Sequence, residues 1–175
     1  MWRNLHMDMI STGVASEYQT GAHLADIVIN KIEVLSNRLV PGSDGSVEHV
    51  VIGNNAVTVI RSTPLKGRVR VAKDNVYVGG VSCKILLTGL DARVETVRHL
   101  VGGGSPVYGA LFLSRQRNTL LKSYGSTTIG SPSAVVQSLI NKHCETSPSP
   151  NLKALAAELN GMFLPYDMLT GNHAA

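Results

Sequence analysis

The chain has 175 residues, 43% of them hydrophobic and 5% aromatic, and a formal charge of +4 from 16 basic and 12 acidic side chains. That length suits one domain with a full core and excludes two ordinary domains, while the apolar fraction excludes a disordered chain. No apolar stretch is long enough for a membrane span or a signal peptide, and two distant cysteines exclude a disulfide scaffold. We therefore expect a cytoplasmic protein with no membrane partner.

The spacing of apolar residues divides the chain into a leader, a domain and a tail. Residues 1–15 have no clear period and are expected to form a loose leader, residues 16–165 the domain and residues 166–175 a tail. Apolar residues recur at spacings of three and four from residue 17 to residue 32, which predicts an amphipathic helix. An extended segment follows, and then the turn cluster PGSDGS at 41–46.

Two β-hairpins are predicted next. Residues 47–61 read VEHVVIGNNAVTVIR, two β-branched runs on either side of an Asn-Asn turn, and predict the first hairpin. Residues 67–71, GRVRV, alternate basic and apolar side chains, which places Arg68 and Arg70 on one face of a strand. Residues 76–80, VYVGG, run back beside that strand and complete the second hairpin.

The second half of the chain alternates helices with one buried strand. A helical pattern over 81–101 ends at the glycine-rich turn GGGSP, and VYGALFL predicts a buried strand. A polar segment at 115–128 has room for a short strand before a helix that Ser131 or Ser133 caps, and residues 152–163 predict a last helix. The order predicts an α/β domain whose mixed central sheet contains hairpins and is flanked by helices.

The residues of the first hairpin suggest a comparison with metal-dependent nucleases. Such sites place acidic side chains on neighbouring strands, with a lysine two residues after the second acid, so that both side chains of that strand share a face. The carboxylates hold Mg²⁺ against the scissile phosphate, and the lysine offsets the charge that builds up on it. Glu48 lies at the first position, and Arg61 and Thr63 occupy the positions of the second acid and the lysine.

The segment around residues 37–80 resembles the nuclease-related domain, a family of the restriction-endonuclease-like PD-(D/E)XK group, and is most similar to its short actinobacterial members. The matching residues are Gly21, Ala22, Asn37, Arg38, Pro41, Gly42, Ser43, Glu48, His49, Gly53, Val59, Ile60, Gly67, Arg68, Val69, Tyr77, Val78, Gly79 and Gly80. With the later segments VETVRHLV and PVYGALFL, the resemblance covers residues 17–165. It implies a restriction-endonuclease-like core.

The chain departs from that family where the family does its chemistry. The positions that match the family's site residues are Ala25, Glu48, Arg61, Thr63 and Arg93. The family has glutamate, aspartate, a second acid, lysine and glutamine there, in that order, so Glu48 alone keeps suitable chemistry. One carboxylate holds Mg²⁺ weakly, and a nearby arginine repels it. The resemblance therefore predicts no catalytic residue with confidence, Glu48 as the one candidate metal ligand, and no cofactor, with Mg²⁺ or Mn²⁺ required if the protein is active.

Three neighbours of Glu48 carry further interpretations. Arg61 is a candidate to pair with Glu48 across the hairpin, where a metal would otherwise lie. Lys66 is a candidate substitute for the lysine, although Pro64 interrupts the strand and a solvated loop lysine is the simpler interpretation. His49 points to the opposite strand face from Glu48 and is expected to pack rather than to act as a base.

A cluster of basic side chains on this segment predicts contact with nucleic acid. Five cations and no acid fall within thirteen residues, and these are Arg61, Lys66, Arg68, Arg70 and Lys73. Four more could lie nearby, namely Arg93, Arg98, Arg115 and Arg117. Such a cluster contacts phosphates without catalysis and gives salt-dependent binding of any sequence. The alternative is a charged edge strand that prevents aggregation.

Three functions are compatible with these patterns. The first is a catalytically inactive nuclease-related protein that binds nucleic acid, DNA in particular, through its basic face. The second is a metal-dependent DNA nuclease that uses Glu48 with a relocated lysine. The third is a protein-interaction or assembly module on the same fold, as a homo-oligomer or with a protein partner. Salt-dependent binding would support the first, and cleavage that Glu48→Ala abolishes would support the second. Oligomerisation without nucleic-acid affinity would support the third.

Overall fold

The structure, a computed structural model, describes residues 20–24, 32–41, 46–53, 56–102, 104–144 and 152–165. The leader predicted over 1–15 and the tail predicted over 166–175 lie outside these ranges, and so does Ala25. Of the helix predicted over 17–32, residues 20–24 are helical and are called α1, whereas Ile32 is not helical.

A mixed sheet of seven strands forms the centre of the fold. In spatial order its strands are β10 (Leu164–Pro165), β1 (Glu33–Leu39), β2 (Ser46–Ile52), β3 (Val57–Thr63), β7 (Val107–Leu113), β9 (Thr127–Gly130) and β8 (Leu121–Tyr124). Strands β3, β7 and β9 run parallel to one another, and the other neighbours are antiparallel. The predicted α/β class, with a mixed central sheet that contains hairpins, is confirmed.

A smaller sheet and three further helices complete the described architecture. The smaller sheet has three antiparallel strands, β4 (Val69–Ala72), β5 (Asn75–Val78) and β6 (Val81–Ser82). The helices are α2 (Lys84–Val101), α3 (Pro132–Cys144) and α4 (Leu152–Met162). The predicted second hairpin is therefore part of a separate sheet, which gains a third strand just before α2.

The main sheet is covered on both faces. Strands β2, β3 and β7 are apolar at successive positions, which is typical of strands buried on both sides. On one face α2, α4 and the smaller sheet pack around residues such as Val59 and Leu111. On the other face α1 and α3 pack around residues such as Ile60 and Phe112. This two-sided core fixes where the ends of β3 and β7 lie.

Three local features refine the predictions made from the sequence. Where the sequence left room for one short strand in the polar segment 115–128, the structure has β8 and then the buried parallel strand β9 at 127–130, which was not predicted because four residues give too short a periodic signal. Ser131 directly precedes α3 and its carbonyl accepts the Val135 N–H at 3.0 Å, so it occupies the predicted cap position, while its hydroxyl accepts a hydrogen bond from the Leu120 N–H at 3.2 Å. Strand β4 begins at Val69, so Arg68 precedes the strand that was predicted to contain it.

The loop between β3 and β4 packs against the turn between β5 and β6. Gly79, in that turn, has a φ of 57° and donates its N–H to the Arg68 carbonyl at 3.1 Å. A Cβ at Gly79 would lie 2.5 Å from the Lys66 carbonyl oxygen, a backbone atom that cannot rotate away. Glycine is therefore required here, and the contact holds a loop that carries two basic side chains.

Gly79→Ala is expected to lower the free energy of unfolding more than Gly80→Ala does. Both glycines have positive φ, 57° and 85°, so each alanine costs about 1–2 kcal/mol of backbone strain. At Gly79 the new methyl also meets the Lys66 carbonyl, whereas nothing lies within 4 Å of a Cβ at Gly80. That clash adds about 1–3 kcal/mol. Urea unfolding followed by circular dichroism measures both variants, and equal losses would contradict the contact.

Candidate functional site

Glu48 lies near the start of β2, and the neighbouring strand binds its carboxylate. Oε2 accepts hydrogen bonds from the Ser62 N–H at 2.6 Å and from the Ser62 hydroxyl at 2.5 Å. The β2–β3 ladder pairs His49 with Ile60, so its next step places Glu48 opposite Arg61. Within the described residues, however, no ion pair within 4 Å joins these two side chains. The ion pair between Glu48 and Arg61 that the sequence suggested is therefore not formed. Ser62, which sequence reasoning missed, is the residue that bonds to the carboxylate.

Arg61 and Arg93 approach each other over Gly89 of α2. Arg93 donates from Nε to the Ser46 carbonyl at 3.0 Å and from Nη1 to the Gly89 carbonyl at 2.8 Å. A Cβ at Gly89 would lie 2.9 Å from Nη1 of Arg61 and 3.3 Å from Nη1 of Arg93. Two half-buried guanidiniums therefore share one small space, and we call Arg61 and Arg93 the arginine pair.

The charges of the arginine pair and Glu48 act on one another. Burial lowers the pKa of Arg93 from its ordinary value, the positive charge of Arg61 lowers it further, and the negative charge of Glu48 opposes that change. Arginine nevertheless stays protonated in proteins. The site therefore combines two cations with one carboxylate.

The described residues do not fit a divalent cation at this position. Mg²⁺ and Mn²⁺ need several oxygen ligands, but Oε2 of Glu48 already accepts two hydrogen bonds and the arginine pair lies within electrostatic range. Thr63 occupies the lysine position, is 4% exposed, and its carbonyl accepts hydrogen bonds from the N–H and hydroxyl of Ser114. In the described part of the chain, no group of three or more His, Cys, Asp or Glu is arranged to hold a metal.

Of the other predictions on this hairpin, the packing role of His49 is confirmed and the role of Ala25 lies outside the described residues. The His49 side chain is 3% exposed, and its Nδ1 shares a hydrogen bond of 2.9 Å with the Ser36 hydroxyl. A Cβ added at Gly21 of α1 would contact the His49 ring at 3.6 Å. This histidine therefore joins β2 to β1 and α1.

A groove rich in cations lies beside these residues. It consists of two adjoining cavities of about 740 and 550 Å³, and both are lined by Gln116 and Asn118. Its basic side chains are Lys66, Arg68, Arg115, Arg117 and Lys122. The other described lining residues are Ser114, Gly67, Val69, Thr119 and Leu120, so none of the described residues that line the groove is acidic. We call this feature the cationic groove.

The parallel strands β3 and β7 position the groove. Both end at the same edge of the sheet, where Thr63 pairs with Leu113, and the loops that follow them form the two walls. The Gly67 N–H donates to Oε1 of Gln116 at 2.9 Å and joins one wall to the other. Binding sites of α/β proteins lie at the carboxyl ends of parallel strands. The groove therefore lies where this fold class places ligands.

The structure divides the predicted basic residues between different places. Lys66 and Arg68 line the groove, and Arg61 lies in the arginine pair. Arg70 and Lys73 belong to the smaller sheet and its turn, where the Arg70 guanidinium lies 4.6 Å from the centre of the Tyr77 ring.

Three groove cations come from the loop after β7 and the strand that follows it. They are Arg115, Arg117 and Lys122, which occur in the run RQRNTLLK. The sequence suggested that the first two could lie near the cluster and missed the third. The sequence feature that could have located all three is this second run of basic residues without an acid, at 115–122. Arg98, also suggested, instead bonds to Glu95 and to the Val107 carbonyl.

The fold and the groove define an α/β protein with a cation-lined groove at the carboxyl ends of two parallel strands. Comparison of the chain with protein-family models, with curated proteins and with solved structures gave no match. Within the described residues, no helix combines the length and apolarity needed to cross a membrane.

Proposed function

We propose that this chain is a nuclease-related domain protein that binds nucleic acid, DNA in particular, through the cationic groove and does not cleave it. The observation that carries the proposal is the charge of the groove, whose described lining includes five basic side chains and no acidic one. Each nucleotide of a strand carries one negative charge, and a row of cations binds it by releasing counterions. We place this activity in the cytoplasm.

The position of the groove supports the proposal. Two of its cations, Lys66 and Arg68, lie on the segment that resembles the nuclease-related domain, directly after the strand that would carry the catalytic acid and lysine. The mixed sheet around β3 and β7 is compatible with a restriction-endonuclease-like core. Contacts from lysine and arginine to phosphate carry no sequence information, so we expect binding without sequence preference.

The proposed lack of cleavage rests on the surroundings of Glu48. Its carboxylate is held by Ser62, and the arginine pair supplies positive charge where a nuclease would hold a metal. The alternative enzyme would need Lys66 and Glu48 to act on one phosphate. Lys66 instead lines the groove with Arg115, which favours binding over cleavage.

A gel-shift and cleavage assay on the same samples tests both halves of the proposal. The full chain is incubated with a duplex of about 20 base pairs, with plasmid DNA, with single-stranded DNA and with RNA, in EDTA or in Mg²⁺ or Mn²⁺. We expect retardation of the duplex in EDTA and no cleavage in any buffer. With about five phosphate contacts, the logarithm of the binding constant should fall with a slope of about −4 to −5 against the logarithm of salt concentration.

Two outcomes would contradict the proposal in different ways. Cleavage that requires Mg²⁺ or Mn²⁺ and disappears in Glu48→Ala would show that the protein is the alternative nuclease. A duplex that is not retarded even at about 50 mM salt, where electrostatic binding is strong, would exclude nucleic-acid binding. Self-association in that second case would favour the assembly module.

A further inference from the structure

Among the residues that the structure describes, the Arg61 guanidinium has no hydrogen-bonding or ion-pair partner. Its side chain is half-buried and extends to α2, where Nη1 meets the space above Gly89. Within the described residues it makes no hydrogen bond and no ion pair, whereas Arg93 beside it bonds to two backbone carbonyls. A partly desolvated guanidinium without a partner is costly. The arrangement is therefore suited to an anion that comes from outside the chain.

The local charge indicates which kind of anion fits. Among the described residues, two arginines lie near one carboxylate, and their charges sum to +1 before a ligand binds. An internal phosphodiester carries one negative charge and would neutralise the site. A terminal phosphate carries about −1.5 to −2 and would leave excess negative charge beside Glu48. Guanidinium groups also match the oxygens of a phosphate with two parallel hydrogen bonds.

The arginine pair lies close to the cationic groove along the same strand. Arg61 precedes Thr63 by two residues, about 7 Å along β3, and the Thr63 carbonyl is bonded to Ser114 of the groove wall. Each nucleotide of a strand carries one phosphate, so successive phosphates follow one another along the bound strand. A strand that occupies the groove would therefore present its next phosphate near Arg61.

We infer that the arginine pair is a phosphodiester subsite, which takes one internal phosphate of the bound strand without a metal ion. This inference rests on the proposed function and adds a location, a ligand class and independence from divalent cations. Ser62 bonds to Oε2 of Glu48, and no ion pair within the described residues joins Glu48 to Arg61, so in this part of the chain the Arg61 donors are available to a phosphate. Gly89 keeps the space open, because a side chain there would meet Nη1 of both arginines.

The salt dependence of duplex binding tests the subsite. In EDTA, Arg61→Gln should lower the magnitude of the salt slope by about 0.9, which corresponds to about eightfold weaker binding at 0.1 M salt. Arg61→Lys should restore the slope because the charge returns. Lys84→Gln, which removes an exposed cation at the start of α2, is the matched control and should change neither quantity. A merely structural role of Arg61 would leave the slope at its wild-type value.

The outcomes separate this inference from the proposed function. If Arg61→Gln keeps the wild-type slope and affinity, the subsite is excluded although the groove still binds the duplex. If the wild-type chain binds no duplex, the proposed function fails, and side-chain NMR decides about the subsite. Addition of dimethyl phosphate, a phosphodiester analogue, should then shift the Nε–H signal of Arg61 more than inorganic phosphate does. No shift with either compound, or a larger shift with inorganic phosphate, would overturn the inference.

Discussion

Replacing Lys66, Arg115 and Arg117 together with alanine is expected to weaken binding to duplex DNA about 10²- to 10³-fold at 0.1 M salt. All three side chains are exposed and line the larger cavity of the cationic groove. Each phosphate contact contributes about 0.9 to the salt slope, so the slope should flatten by roughly 2.7. Because exposed loop substitutions change stability little, within about 0.5 kcal/mol, the loss of affinity should occur without loss of folding.

A second triple variant gives a matched control for the charge itself. Arg70, Lys73 and Lys84 are also exposed but do not line the groove. Their replacement by alanine lowers the net charge by the same three units, and we expect it to weaken binding less than about tenfold. Fluorescence anisotropy with a labelled duplex over a range of salt concentrations compares both variants. Equal losses would show that overall charge, and not the groove, determines the affinity.

The contrast between these two sets shows what sequence reasoning could find. Lys66 and Arg68 were predicted to bind nucleic acid because they belong to a cluster of cations that is continuous in sequence. The opposite wall of the groove comes from the loop after β7, which meets the first wall only because β3 and β7 pair in parallel with Thr63 beside Leu113. Parallel pairing joins distant segments, and a period of two in each strand does not reveal its partner.

The strand pairing of the hairpin that carries Glu48 could be predicted from the sequence, but the side-chain contacts of Glu48 could not. Its two β-branched runs and the turn between them predicted the pairing of β2 with β3, which the structure shows as far as His49 opposite Ile60. The carboxylate nevertheless bonds to Ser62, because hydrogen-bond donors on a strand compete with a neighbouring guanidinium for the same oxygen. Such a choice depends on side-chain rotamers, which alternation of residue types does not specify.

Strand β9 shows a different limit of sequence reasoning. Its four residues are all buried, and the flanking polar segment and helix hide so short a signal. Its register with β7 is visible only in the structure, where Gly109 pairs with Thr127. A Cβ at Gly109 would lie 2.5 Å from Oγ1 of Thr127, so a glycine at this position is what permits the close approach. The same pairing positions β8, and with it Lys122 of the groove.

Lowering the pH from about 6.5 to about 4 is expected to remove roughly 3 kcal/mol of stability through one residue, His143. This side chain is fully buried in the last turn of α3, and its Nε2 lies 3.1 Å from Oγ1 of Thr58. Burial lowers the pKa of His143 to about 4, the charge of Lys142 acts in the same direction, and the Ala56 backbone opposes it. The unfolded chain therefore binds the proton first, and stability falls as the pH falls.

The variant His143→Gln isolates this contribution, because glutamine keeps a polar contact for Thr58 but does not titrate. Carboxylates also lose stabilising interactions in acid, but they do so equally in both proteins. Urea unfolding between pH 7.5 and 4.5 should therefore show the wild-type chain losing more free energy than the variant, whereas the exposed His99→Gln should follow the wild type. Parallel curves for wild type and His143→Gln would contradict the assignment. The imidazole NMR signals of His143 give an independent measure, since their midpoint should lie near 4 and not near 6.5.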